Sequence, residues 1–77
     1  MLRWLFGDEY PTLRDAIVNT KRGGPSFRGV IWERRGGYLI LRNAEMLKAR
    51  GESIPIDGEA LIPVADIEFV QLPRGGE

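Results

Sequence analysis

The sequence predicts a small all-β domain in which five short antiparallel strands bend into a barrel, and three observations point there. Glycine and proline punctuate the chain densely, at Gly23-Gly24-Pro25, Gly36-Gly37, Gly51, Pro55, Asp57-Gly58, Pro63 and Pro73, leaving pieces too short for ordinary helices. Within those pieces apolar residues alternate at the period of two that half-buried strands require. The chain has 77 residues, no cysteine and no histidine, so neither disulfides nor a zinc site of the usual ligands can reinforce so small a core. Association between copies is the remaining remedy, and it is expected on stability grounds alone.

Residues 1–12 read as an N-terminal arm, short and possessing at most one helix. Its apolar start, Met1-Leu2-Arg3-Trp4-Leu5-Phe6, is interrupted by Gly7-Asp8-Glu9 and lacks the small-residue cleavage site of a signal peptide. No apolar run approaches the roughly 18–20 residues that cross a bilayer. The expectation is a cytoplasmic protein, or a virion component made in a host cytoplasm, with no membrane partner.

The barrel is expected over residues 13–72. Asp15 to Lys21, with Ile17, Val18 and Thr20, is a candidate first strand; Leu13, Ala16 and Ile17 also suit a helix begun by a Thr12 cap, and strand is the favoured reading. Ser26 to Arg34 places Phe27, Gly29 and Ile31 on one face and Val30 and Trp32 on the other, as a strand buried partly on both sides requires. Gly29 in its middle marks a bend, where a residue without Cβ lets a neighbouring backbone come close. Arg35-Gly36-Gly37 is a tight hairpin turn. Tyr38 to Ala44 is the third strand, with Leu39 and Leu41 alternating against Tyr38, Ile40 and Arg42. Glu45 to Ser53 is expected as a solvent-exposed excursion with one helical turn near Ala44 to Ala49. Glu59 to Pro63 and Ile67 to Leu72 are the fourth and fifth strands, linked by Val64-Ala65-Asp66, and residues 73–77 form a frayed tail.

This pattern resembles the Sm/LSm family of small SH3-like barrels. The stretch Gly24-Pro25-Ser26-Phe27-Arg28-Gly29-Val30-Ile31 is similar to the family's glycine turn followed by an aromatic, a polar residue, the bend glycine and a hydrophobic pair. Tyr38-Leu39-Ile40-Leu41-Arg42-Asn43-Ala44-Glu45 is similar to the strand that ends the first family motif, and Ala60-Leu61-Ile62-Pro63-Val64-Ala65-Asp66-Ile67-Glu68-Phe69-Val70 to the second. The resemblance, which extends to members of phage type, implies a ring of five to seven subunits, closed by the fourth strand of one subunit pairing with the fifth of the next. Such pairing also covers sheet edges that would otherwise invite aggregation.

The departures from the family bear on function. RNA-binding members carry an aspartate, a base-stacking residue and an asparagine at alternate positions in the loop between the second and third strands, and Arg-Gly in the last link. Here Tyr38 stands at the asparagine position, Gly36 at the stacking position, and Arg34 near the aspartate, in a loop about one residue shorter. Pro63-Val64 replaces Arg-Gly, so no uridine-reading residue carries over.

Composition narrows the function further. The missing histidine and cysteine remove the commonest general base, metal ligands and reactive nucleophile, so neither an enzyme nor a metal or other cofactor is expected. Eleven basic and eleven acidic side chains cancel, leaving nucleic-acid binding to a local patch. Arg-Gly-Gly occurs at residues 22–24, 35–37 and 74–76; such tripeptides recur in RNA-binding segments, but two of these sit at turns and one in the tail. Arg34, Arg35 and Tyr38 remain the nucleic-acid candidates. Gly24 to Gly29 has the gap of a phosphate-binding loop, yet Val30-Ile31 follows where Lys and Ser or Thr are required. Asp57 and Glu59 read as a turn beside an exposed strand edge.

The leading expectation is therefore a non-enzymatic structural or adaptor subunit of a ring or symmetric assembly, in concrete form a phage virion or tail-assembly component. Its partners would be copies of itself and another structural protein, through edge-strand hydrogen bonds and the apolar residues Ile62, Phe69 and Val70, with Trp4, Phe6 and Trp32 as aromatic anchors. The alternatives are an RNA-binding Sm-like ring using Arg34, Arg35 and Tyr38, and a monomeric SH3-like adaptor.

Overall fold

The computed structural model describes residues 12–74. Trp4 and Phe6, with the rest of the N-terminal arm, and the last three residues of the tail lie outside the described residues. The chain forms one antiparallel sheet of six strands: β1 (Arg14–Thr20), β2 (Ser26–Arg35), β3 (Tyr38–Leu47), β4 (Ser53–Pro55), β5 (Ala60–Pro63) and β6 (Ile67–Gln71). Short 3-10 turns at Ala49–Gly51 and Val64–Asp66 complete it. The spatial order is β4-β3-β2-β1-β6, and β5 pairs with β3 beyond β4.

The strand assignment for the first segment holds, because its backbone is claimed on both sides: β1 pairs with β2 from Arg14 to Asn19 and with β6 from Ile17 to Thr20. Two ladders outweigh the weak helical spacing of Leu13, Ala16 and Ile17. The region after the third strand departs from expectation. No helical turn forms near Ala44 to Ala49; β3 instead runs on to Leu47, since Glu45, Met46 and Leu47 pair with β2 on one side and with the added β4 on the other. The only turn of helix there is the 3-10 piece at Ala49–Gly51.

Two bulges of opposite sense shape the β2–β3 ladder. Arg28 faces Glu45 and Val30 faces Arg42, so Gly29 alone opposes both Asn43 and Ala44. The extra residue on β3 bends it sharply, and Asn43 takes the left-handed conformation (φ 52°) that asparagine tolerates better than most residues. Gly29 is required on the opposite strand. A Cβ there would lie 3.0 Å from the Arg42 carbonyl oxygen and 3.1 Å from both Cα and Cβ of Ala44. Further along, Ile31 faces Leu41 and Glu33 faces Ile40, which leaves Trp32 as an extra residue on β2 and restores the register.

The bends wrap the sheet around a core of Ala16, Val18, Ile31, Leu39, Leu41, Ala44, Ala60, Ile62 and Val70, against which Phe27, Ile56, Val64, Ile67 and Leu72 pack. Ile40 is also buried but points to the other face, so the third strand buries three consecutive residues rather than alternate ones. On that outer face the bulge turns Trp32 toward Arg42. The guanidinium carbon lies 3.9 Å from the ring centroid, while Nε and Nη2 of Arg42 each stand 3.1 Å from Glu59 Oε2. The carboxylate thus holds the cation over the ring. Arg28 donates to Asp15 across β1 and β2, with Nη2 2.6 Å and Nε 3.1 Å from Oδ2, and this hydrogen bond holds the guanidinium above its ordinary titration range. With the carboxylate ionised, that contribution is present at neutral pH and is lost as pH rises through the raised arginine pKa, so the pair is insensitive to pH near neutrality.

Replacing Gly29 by Val is expected to cost about 1–3 kcal/mol, because backbone atoms rather than a flexible side chain fill the space. Urea denaturation followed by circular dichroism checks this; an unchanged midpoint would show that the bend does not need a glycine. In a Trp4→Phe background Trp32 is the only indole, and Arg42→Ala is expected to increase acrylamide quenching of its fluorescence and to cost about 0.5–1 kcal/mol of stability.

Candidate functional site

Two neighbouring features make up the candidate site: the β2–β3 turn and the strand edges that the sheet leaves unpaired. The turn consists of Gly36 and Gly37 between paired Arg35 and Tyr38. Gly36 has φ 59°, which glycine adopts without steric cost at the first central position of a tight hairpin. Tyr38 also pairs with Pro63 on β5, so Arg35, Tyr38 and Pro63 form one row on the same face. The Val64 N–H donates to the Gly37 carbonyl at 2.8 Å and fixes the turn against the Val64–Asp66 link. The two loops that carry the RNA-reading residues in the resembling family are therefore side by side here.

Their side chains have a different character. Arg34 Nε donates to the Gly36 carbonyl at 3.0 Å, which folds its stem back over the turn. Arg35 is paired with the Glu33 carboxylate, and the hydrogen bond to it, with its charge, holds the guanidinium above its ordinary range. Tyr38 is exposed and is the cross-strand partner of Arg35. Sequence reasoning named all three residues; the hairpin sets Arg35 across from Tyr38 on one face, while Arg34 is across from Leu39 on the other. Pro63 and Val64 supply no donor side chain beside them.

The strand edges form the second feature. One edge of β5 is held by β3 and one edge of β6 by β1, while their other edges have no partner among the described residues. The backbone stays attached to the barrel between them, since the Lys21 N–H donates to the Asp66 carbonyl at 2.9 Å. A groove of about 350 Å³ lies between β5, through Leu61, Ile62 and Pro63, and the β1–β2 hairpin, through Lys21, Pro25 and Phe27.

The proposed interface residues divide by strand parity. Phe69 stands on the outer face opposite Asn19 and is 48% exposed. Ile62 and Val70, at 4% and 8% exposure, lie in the chain's own core, where Val70 faces Val18 and Ile62 faces Leu39. Trp32 is partly exposed, with Arg42 over its ring. The sequence reading missed Leu61, which is 49% exposed on β5. Alternation marks two faces on Ala60-Leu61-Ile62-Pro63, but both are apolar, so nothing in the strand itself says which one looks outward.

Among the described residues no group of three His, Cys, Asp or Glu side chains is placed to hold a metal ion, and no helix is long and apolar enough to cross a membrane.

No family model and no curated protein matches the sequence. Solved structures do match the fold. The SmAP1 heptamer of P. aerophilum superposes with a TM-score of 0.70 at 17% identity, covering 83% of this chain and 84% of that one. A heptameric archaeal Sm protein, described for its implications for the eukaryotic snRNP core, gives a TM-score of 0.69 at 16% identity, covering 82% and 90%. From Thr12 to the tail, this chain therefore has an Sm-like fold.

Proposed function

We propose that the chain is a non-enzymatic subunit that joins copies of itself into a ring, and that the ring contacts RNA at the β2–β3 turn. The observation that carries the assembly is that β5 and β6, like β4, each have an edge with no partner among the described residues. β5 and β6 are connected by the three-residue link Val64–Asp66 yet are held by different strands, so their open edges do not meet within the chain. Two such edges on different sides of a subunit form a head-to-tail contact, which closes into a ring when the rotation permits. Closure removes exposed edges that a small barrel cannot otherwise protect. The two structural neighbours are described as heptamers, which supports the same reading.

The RNA contact draws on Arg34, Arg35 and Tyr38, which the turn sets beside the last link. Each contact is weak alone, but a ring repeats it once per subunit, and linked contacts raise the overall affinity without any new interaction. A protein-binding adaptor ring, including a virion or tail component, is the second reading. It is favoured by the Arg35–Glu33 pair, which offsets the cation, and by the absence of a stacking side chain at Gly36.

Native mass spectrometry at micromolar concentration is expected to record a closed oligomer; a monomer would exclude the ring and leave a single-barrel adaptor. Uridine-rich and mixed oligonucleotides are expected to bind with an affinity that falls steeply with salt and drops about tenfold in Arg35→Ala plus Tyr38→Ala. An oligomer that binds no RNA at low salt would decide for the adaptor ring.

A further inference from the structure

We infer that the β2–β3 turn takes single-stranded nucleic acid without choosing its base, and accepts DNA as readily as RNA, because stacking on Tyr38 is what it offers a ligand. The inference rests on the RNA reading above and names the class of ligand that its site accepts.

Choosing a base requires donors and acceptors aimed at its edge, since the bases differ in the pattern of those groups. The polar groups around Tyr38 are occupied or of one kind. The Gly36 carbonyl accepts from Arg34 Nε at 3.0 Å, the Gly37 carbonyl accepts from the Val64 N–H at 2.8 Å, and the Val64 carbonyl accepts from the Ile67 N–H. Arg34 itself lies on the other face, across from Leu39. The Glu33 carboxylate, one row away on the face of Tyr38, accepts from Arg35 Nη2. Arg35 keeps further N–H groups, but these only donate, and every base has acceptors to meet them. Pro63, which completes the row, has no N–H. Asp66 is the carboxylate of the last link; it lines the groove with Lys21, at the end of the link away from Gly37. The Tyr38 hydroxyl lies in the plane of its own ring, so it does not meet the edge of a base stacked on that ring.

What the face does present is apolar and open. Tyr38 is 46% exposed, Pro63 stands beside it, and Leu61 is exposed in the next row, where buried Ile40 separates it from Glu33. The turn leaves room for an entering strand, since a Cβ at Gly36 or Gly37 would meet no atom within 4 Å. An exposed ring in such a setting meets the π-face that every base has, and stacking of this kind tolerates any sequence. The donors of Arg35 favour the charged phosphate, which RNA and DNA share, over the neutral 2′-hydroxyl that separates them. Base and sugar therefore go unread.

The test uses the full chain as wild type, Tyr38→Phe and Tyr38→Leu, both at an exposed position, with circular dichroism to verify the barrel. Fluorescence anisotropy at low salt measures binding of labelled oligouridine, oligocytidine, oligoadenosine and oligodeoxyuridine of about 12 nucleotides. The four dissociation constants of the wild type are expected to agree within about fivefold. Tyr38→Phe is expected to bind like the wild type, and Tyr38→Leu, which keeps an apolar side chain but no π-face, to weaken all four about tenfold. A preference beyond about fivefold for one base, or for ribose over deoxyribose, would overturn the inference and leave the RNA contact standing. So would a Tyr38→Phe variant as weak as Tyr38→Leu, because the hydroxyl would then be the reader, and so would a Tyr38→Leu variant that binds like the wild type. A wild-type chain that binds none of the four at low salt would overturn the RNA reading and the inference together.

Discussion

The close approach of β2 to β3 at Gly29 is the constraint on which the rest of the molecule depends. One residue on β2 faces two on β3, and the space between the strands admits no side chain. That bend lets ten-residue strands serve two regions of a small barrel. The first part of β3 faces β5 and the last part faces β4, both on the same edge, so a single strand replaces what would otherwise be two. The core of small side chains such as Ala16, Ala44 and Ala60 follows, because strands that approach closely leave little volume between them.

The same curvature produces the open edges. A flat sheet of these strands would expose its core face; a fully closed barrel would have no edges to offer. The observed barrel stops between the two: β5 and β6 are joined by a short 3-10 link, and each has one edge whose backbone donors and acceptors find no strand partner among the described residues. Unpaired edges are a hazard for a soluble protein, and the sequence blunts them only modestly, with Pro63 at the end of β5 and Glu68 in β6. On the proposed ring reading, pairing with another copy would turn that hazard into the source of affinity. With no cysteine in the chain, no disulfide reinforces the barrel.

Chemistry at the turn is subordinate to this architecture. The Gly37–Val64 hydrogen bond holds the turn against the last link, with Arg35 and Tyr38 in one row, and the local ion pair with Glu33 tempers the positive field there.

The sequence by itself determined the all-β class, most strand positions, the bend at Gly29 and the hairpin at Gly36-Gly37, because these follow from local backbone sterics and period-two alternation. It also grouped Arg34, Arg35 and Tyr38, which are close in the chain. Only the tertiary structure decided the extension of β3 through Leu47 and the added β4, since a polar stretch such as Glu45 to Ser53 becomes a strand by pairing rather than by propensity. It also decided strand parity on β5 and β6. Each face of those strands carries a large apolar side chain, so whether Ile62 or Leu61, Val70 or Phe69, looks outward depends on register against β3 and β1, and that register is set by contacts distant in the chain.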